Sequence, residues 1–257
     1  MDRPPTKILL ALQMWEGDQK QALEVAKLIA DLEPRHSDRA DFLFSYRFDC
    51  PADKKTEEHV AAKFNTFSWV NRHRRGEGWP GGCNDLWFGT MDRAYDLCNA
   101  GQMPSYKAIL TFEADSCPIV PHWLNTLHSE WDKLSQLGVK LAGHLLQYPP
   151  QPQVRLHCNG NALFSGDLTY LHQIARKIGG CPPSAGWDFY LAPQFKALGW
   201  ADCPAIRSHW NAQTALPPFL ERVTNEGCVF LHGVKDNSVI NYVRERYLLP
   251  RETAITS

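Results

Sequence analysis

The sequence predicts one α/β domain with a mostly parallel central sheet flanked by helices, and three observations predict it. An apolar strand-like run at 7–14 is followed by a helical apolar rhythm and then by a second strand-like run, the order of a β-α-β unit. Further apolar runs at 107–112 and 139–146 alternate with helical stretches. The 257 residues are enough for a substantial core but lie near the size at which single cores stop growing. One domain over 1–257 is therefore expected.

Taken in order, residues 7–14 form a short apolar strand. Residues 19–32 place Ala22, Val25, Ala26, Ile29 and Ala30 at helical spacing. Residues 41–48 alternate Phe42, Phe44, Tyr46 and Phe48 with smaller or polar neighbours, as a strand does. A glycine- and charge-rich loop at 71–84 leads into a helix at 85–99, which Gly101 and Pro104 end. The strand 107–112 stops abruptly at Glu113-Ala114-Asp115. A helix near 122–137, a strand near 139–146 and a proline-rich loop at 148–152 follow. The segment 158–164 reads as a turn entering a short strand, and 168–178 as a helix. A turn-rich stretch at 179–186 precedes a helix from Trp187 to about Leu198, and a terminal helix is expected near 238–247.

Composition narrows the function classes. With 44% hydrophobic and 21% charged residues the chain is globular, and its formal net charge of -1 gives no global basic field for nucleic acid. The N-terminal residues carry no secretory pattern, and no segment approaches the roughly 18 apolar residues of a membrane span. A cytoplasmic protein with no membrane partner is expected. The eight cysteines show no C-x-x-C pair or zinc spacing, so reduced thiols are expected.

Chemistry concentrates where the third strand ends. Open α/β sheets bind ligands beyond the carboxyl ends of their strands. Glu113 and Asp115, two residues apart on extended backbone, share a face and can point at one cation. Hard divalent ions favour carboxylate oxygens beside phosphates. Far downstream lies Phe230-Leu231-His232-Gly233-Val234-Lys235. Each residue alone also has a plain structural reading: a strand-end turn for the acids, a core histidine for His232, a solvated lysine for Lys235.

In combination these motifs resemble the GT-A glycosyltransferases, in which an acidic D-x-D-type motif after a central strand binds metal and donor and a late histidine and lysine complete the site. The resemblance spans most of 7–240, through short motifs, and departs from the pattern in having Glu first. It implies a single GT-A, Rossmann-like domain, with a nucleotide-sugar-binding half at about 7–118 and an acceptor half at about 119–240. It implies Mn²⁺ or Mg²⁺ held by Glu113, Asp115 and His232 directly or through water, with Lys235 on the β-phosphate of the donor and Glu113, as a donor-binding residue, on the ribose, the metal or a water. Asn159 and Gly160, in the turn 159–166, would line the sugar and acceptor side with Trp187. Asp188 takes the place of the acidic residue that serves as general base in inverting members, and it is equally placed to cap a helix.

The loop Asn71-Arg72-His73-Arg74-Arg75 stands where GT-A relatives contact the nucleotide, and Asn84 begins the next helix. Arg72 and Arg75, with Asn84, are candidate donor ligands; the arginines equally suit the backbone of a nucleic-acid acceptor or plain solvent. The implied function is transfer of a sugar, from UDP first of all, to a hydroxyl acceptor that includes hydroxymethylated bases in DNA, as in some phage enzymes of host cytoplasm. The alternatives are a non-catalytic nucleotide- or nucleic-acid-binding module and a nucleotidyltransferase. No G-x-x-x-x-G-K-S/T and no G-x-G-x-x-G after the first strand is present, which excludes the P-loop and dinucleotide fingerprints.

Overall fold

The computed structural model describes residues 4–73, 76–146, 156–182, 184–212 and 214–249. The chain opens with strand β1 (Ile8–Met14), helix α1 (Gln19–Leu32), strand β2 (Ala40–Arg47), helix α2 (Lys54–Ala61), strand β3 (Asn65–Asn71), helix α3 (Gly81–Asn99) and strand β4 (Ala108–Glu113). Short elements follow: β5 (Ser116–Pro118), α4 (Trp123–Gln136), β6 (Leu141–Gly143), β7 (Leu145–Leu146), β8 (His157–Cys158), β9 (Ala162–Ser165) and α5 (Leu168–Ala175). The chain then runs through α6 (Trp187–Tyr190), α7 (Ala192–Leu198), β10 (Trp200–Asp202), β11 (Ile206–Ala212), α8 (Pro217–Asn225), β12 (Phe230–Val234) and α9 (Ser238–Val243).

Seven strands form the central sheet in the order β10-β6-β9-β4-β1-β2-β3. Only β9 runs antiparallel to its neighbours β4 and β6; the remaining pairs are parallel. The expected mixed α/β architecture with a mostly parallel sheet is therefore what the chain builds. A second sheet, β11-β12-β5, brings the C-terminal part of the chain back to the end of β4.

All seven residues of β1 are buried, because helices cover both faces of the sheet. Side chains alternate across a strand, so Ile8, Leu10, Leu12 and Met14 enter the core under α1 and α4, whereas Leu9 and Ala11 enter the core under α3 and α5. Each fully buried aliphatic side chain contributes about 1.5–3 kcal/mol. These two cores make the sheet edge at the carboxyl ends of β1 and β4 a rigid platform. No helix among the described residues is long and apolar enough to cross a membrane.

Three local expectations need correction. The helix expected from Asp85 begins four residues earlier, at Gly81, because Asp85 already lies inside the buried face that carries Asn84, Leu86 and Trp87. The single strand expected at 139–146 is two short ones, β6 and β7, separated at His144. The helix expected from Trp187 to Leu198 breaks at Leu191 into α6 and α7, with Pro193 at the start of α7, a favoured place for proline. The loop 148–152, Arg74 and Arg75 lie outside the described residues. All eight cysteines are free thiols.

Candidate active site

Beyond the carboxyl ends of β1 and β4 lies a cleft of about 440 Å³. Its lining includes Glu113 and Asp115 from the end of β4 and the turn after it, and His232 and Lys235 from β12 and just beyond. Asn159 and Gly160 line it before β9, and Trp187 and Asp188 at the start of α6.

Antiparallel pairing of β12 with β5 sets His232 opposite Ser116 and thus beside the acidic turn. Gly233 has φ of 103°, a left-handed conformation that favours glycine, and its N–H donates to the Asp115 carbonyl at 3.0 Å. The chain is thereby fastened across the two acids. One ligand atom from each of Glu113, Asp115 and His232 lies within 4.8 Å of the others. His232 Nε2 is 3.4 Å from an Asp115 oxygen and 3.7 Å from a Glu113 oxygen.

The other imidazole nitrogen, Nδ1, is hydrogen-bonded to Ser208 Oγ at 2.9 Å, and the Ser208 N–H donates to His144 Nδ1 at 3.0 Å. Such a partner fixes ring orientation and leaves Nε2 facing the acids. Burial lowers the His232 pKa although the Asp115 charge opposes it, which favours the neutral, ligand-competent ring. Burial and the Asp115 charge raise the Glu113 carboxyl. The Lys235 ammonium pairs with the second Asp115 oxygen. Burial would lower Lys235, but Asp115 outweighs it and raises the group.

Asn161 organises this floor. Its Oδ1 accepts from the Glu113 backbone N–H at 2.9 Å and from Ser116 Oγ at 2.5 Å, and its Nδ2 donates to Asn159 Oδ1 at 3.1 Å. Asn159 thus acts on the cleft partly through Asn161. Gly160 is required for packing: a Cβ there would come within 2.6 Å of the Trp187 ring. Trp187 itself is buried and stacks on Trp87 with centroids 4.0 Å apart, so its ring forms a wall more than an open platform.

Asn84 uses both ends of its amide on the neighbouring turn, accepting from Trp187 N–H at 2.7 Å and donating to the Ala185 carbonyl at 3.0 Å. It holds the start of α6 in place while lining the cleft. Asp188 sits in the first turn of α6, after the N-cap Gly186, and its Oδ1 accepts the Phe189 N–H at 3.0 Å. Burial raises the Asp188 carboxyl to about 6 against that hydrogen bond. His157 Nε2 lies 3.7 Å from the other Asp188 oxygen, and its ring stacks on Phe189 at 3.8 Å. Arg72 follows β3 on the exposed surface and is not among the cleft residues described.

Sequence reasoning did not single out Gln13, Asp18, His157 or Asn161 as site residues, all of which line the cleft. Gln13 is the one polar side chain in β1, and Asn159-x-Asn161 repeats an amide at strand spacing; those were the available signals. Asp18 accepts the Trp15 N–H at 2.9 Å, and burial raises it to about 7 against that bond, with Asp115 adding to the rise.

No protein-family model matches the chain, and no curated protein matches its sequence. Among solved structures the chain is similar to S. aureus TarS, with a TM-score of 0.52 and 9% identity over 92% of this chain and 38% of that one. It is similar to the WbbM bifunctional glycosyltransferase, with a TM-score of 0.51 and 7% identity over 93% of this chain and 49% of that one. It is also similar to a glycosyltransferase involved in glycosylation of the major capsid of PBCV-1, with a TM-score of 0.50 and 11% identity over 94% of this chain and 98% of that one. The chain thus spans half or less of TarS and WbbM and nearly all of the capsid enzyme. At these identities the likeness establishes a shared fold.

Proposed function

We propose that this chain transfers a sugar from a nucleotide-sugar donor, a UDP-sugar first of all, to a hydroxyl acceptor, with Mn²⁺ or Mg²⁺ as cofactor and inversion at the anomeric carbon. The observation that carries the reading is the convergence of Glu113, Asp115 and His232 at the carboxyl end of β4, with Lys235 beside them and a half-buried Asp188 in the same cleft. The names of the fold relatives point the same way, since WbbM and the capsid protein's modifying enzyme are glycosyltransferases.

The donor set fits a divalent cation. Two carboxylates brought together repel, and the imidazole is oriented by Ser208 and favoured in its neutral form. Glu113, Asp115 and His232 would hold the ion, which when bound supplies positive charge to the departing diphosphate. Lys235, now on Asp115, is placed to turn toward the same phosphates. Asp188 would accept the acceptor hydroxyl proton, and His157 and the Phe189 N–H keep its carboxylate oriented. In this reading 7–118 supplies most of the donor side and 119–240 most of the acceptor side, His232 and Lys235 crossing back to the donor.

The test is a thermal-shift screen of UDP-, GDP-, CDP- and TDP-sugars with and without Mn²⁺. A ligand at about 100 times its Kd stabilises the folded state by about 2.7 kcal/mol. A metal-dependent shift with one nucleotide, lost in Asp115→Ala, is expected, followed by release of the nucleoside diphosphate on turnover. No shift with any donor sinks the reading in favour of a binding module, and release of pyrophosphate would make the chain a nucleotidyltransferase.

A hydroxymethylated base in duplex DNA is the acceptor to test first, because Arg72, Arg74 and Arg75 fall within four positions. Phosphate contacts predict a mobility shift that weakens steeply with salt. An absent or salt-insensitive shift moves the acceptor to a glycan, lipid or protein.

A further inference from the structure

Helix α6 is a single turn, closed by the Tyr190 N–H on the Gly186 carbonyl at 3.0 Å and the Leu191 N–H on the Trp187 carbonyl at 2.8 Å. One turn fixes several backbone dihedrals for each hydrogen bond it makes, so a helix this short does not hold its place by itself. Its placement comes from neighbouring elements. Asp188 rides on this turn, and its carboxylate meets only the Phe189 N–H at 3.0 Å and His157 at 3.7 Å among the contacts described above. Where that carboxylate points is therefore decided by whatever holds α6.

Helix α3 supplies the grip. Asn84 and Trp87 are three residues apart on it and share one face. Asn84 takes the backbone: its Oδ1 accepts the Trp187 N–H at 2.7 Å, and its Nδ2 donates to the Ala185 carbonyl at 3.0 Å and lies 3.6 Å from Cys181 Sγ. Trp87 takes the ring, stacking on Trp187 with centroids 4.0 Å apart and planes 13° apart. Gly160 closes on the same ring, since a Cβ there would come within 2.6 Å of it. The residue next to Asp188 is thus fixed through both its backbone and its side chain.

This arrangement leaves Asn84 little to offer a ligand. An amide side chain has two N–H donors and one oxygen with two lone pairs. Both donors of Asn84 are directed at Ala185 and Cys181, one lone pair takes the Trp187 N–H, and only 7% of the residue is exposed. A contact with the donor sugar or its phosphates would strip a partner from a buried backbone group, which is costly.

Resting on the reading of Asp188 as the base, we propose that Asn84 is a positioning residue that serves the reaction through Trp187 and Asp188, holding the carboxylate where the acceptor hydroxyl arrives, and that it does not bind the donor. A reacting group misplaced by about 1 Å can lose on the order of 10²-fold in rate. Glu113, Asp115, His232 and Lys235 stand on other elements, so the donor side should not feel the change.

The experiment uses the full chain as wild type, Asn84→Leu, Asp188→Asn and the double variant. Asn84→Leu keeps the approximate size and loses both hydrogen bonds; Asn84→Ala serves if it does not fold. UDP affinity in the presence of Mn²⁺ is read by calorimetry, and turnover as release of UDP from UDP-glucose, UDP-galactose and UDP-N-acetylglucosamine with water as acceptor. For Asn84→Leu the expected result is unchanged UDP affinity, unchanged KM for the sugar nucleotide, and a kcat lower by about 10- to 100-fold. The double variant should lie within about twofold of Asp188→Asn, because groups that act as one unit are not additive. Hydrogen exchange at 186–191 should quicken in Asn84→Leu. A fall in UDP affinity overturns the proposal and makes Asn84 a donor ligand. Losses that multiply in the double variant overturn it as well, since Asn84 then acts independently of Asp188, and so does unchanged exchange at 186–191. A wild type that binds UDP but releases none from any of the three sugar nucleotides brings down the transfer reading itself, an outcome seen in wild type alone.

Discussion

At the amino-terminal edge of the central sheet, Asp41 on β2 is as buried as the phenylalanines beside it, and it accepts from Lys7 Nζ at 2.7 Å, Asn65 Nδ2 at 3.1 Å and the Tyr106 hydroxyl at 3.0 Å. At the carboxyl edge of the same strands, Asp18, Glu113 and Asp188 are only partly buried, yet desolvation outweighs their partners and their pKa values rise. The Gln13 Nε2 there has no hydrogen-bond partner among the described residues. The two edges lie about 20 Å apart, taking six residues of β2 at about 3.3 Å each. One edge spends its polar groups on the fold, and the other leaves them underused by the fold. Buried polar groups are tolerated when fully satisfied, so the unsatisfied edge is where a ligand has something to complete.

The largest expected effect tests the satisfied edge. Asp41→Ala strips the acceptor from three donors at once and leaves the Tyr106 hydroxyl buried. Removing one partner of a buried charged network costs about 3–5 kcal/mol, so a fall of that order in unfolding free energy is expected by denaturant titration. Nucleotide binding by the fraction that remains folded should be unchanged. A variant that kept its stability but lost ligand binding would erase the distinction between the edges.

The next effect belongs to the cleft. If Asp188 is the base, it must be ionised to accept a proton, and its carboxyl is held at about 6. Transfer should therefore fall about tenfold per pH unit below about 6 and level off above it. Asp188→Asn should lower the plateau on the order of 10²-fold and remove that acid limb, with Tm near wild type. Survival of the acid limb in the variant would assign the proton acceptor to another group.

What the sequence disclosed follows the same division. The apolar runs of β1, β2 and β4 and the rhythm of α1 were legible because burial imposes periodicity on neighbouring residues. Helix α2 was not, since Val60 is its one buried aliphatic residue and its start is marked chiefly by Asp53, whose side chain accepts the Thr56 N–H at 2.8 Å. Strand β3 was missed with it; β10, at three residues, is too brief to show a pattern, and the seven residues of β11, Ile-Arg-Ser-His-Trp-Asn-Ala, carry no clean apolar alternation. At the site, Glu113, Asp115, His232 and Lys235 were legible as a motif, although only the pairing of β12 with β5 brings them together. The contribution of Asn161 depends on a backbone N–H at Glu113, and that of Gln13 on its register with β2 and β4. Neither relation has a local signature.

The smallest effect sharpens the comparison through proton linkage at Asp18. Its position before α1 suggests an ordinary helix cap, yet its side chain makes no capping bond and accepts the Trp15 N–H instead. The folded chain holds its proton up to about 7, whereas the ordinary aspartate value is 3.8. A carboxyl raised in this way binds protons more tightly in the folded state than in the unfolded one. Its linkage therefore lowers stability as pH climbs from about 4 to about 7, and is level beyond. Asp18→Asn removes that loss: Tm should rise by about 2–4 °C at pH 8 and change little at pH 4. An Asp18→Asn variant that lost stability at pH 8 would show that the carboxylate is completed by the fold after all, and would move Asp18 from the cleft's underused polar groups to the satisfied ones.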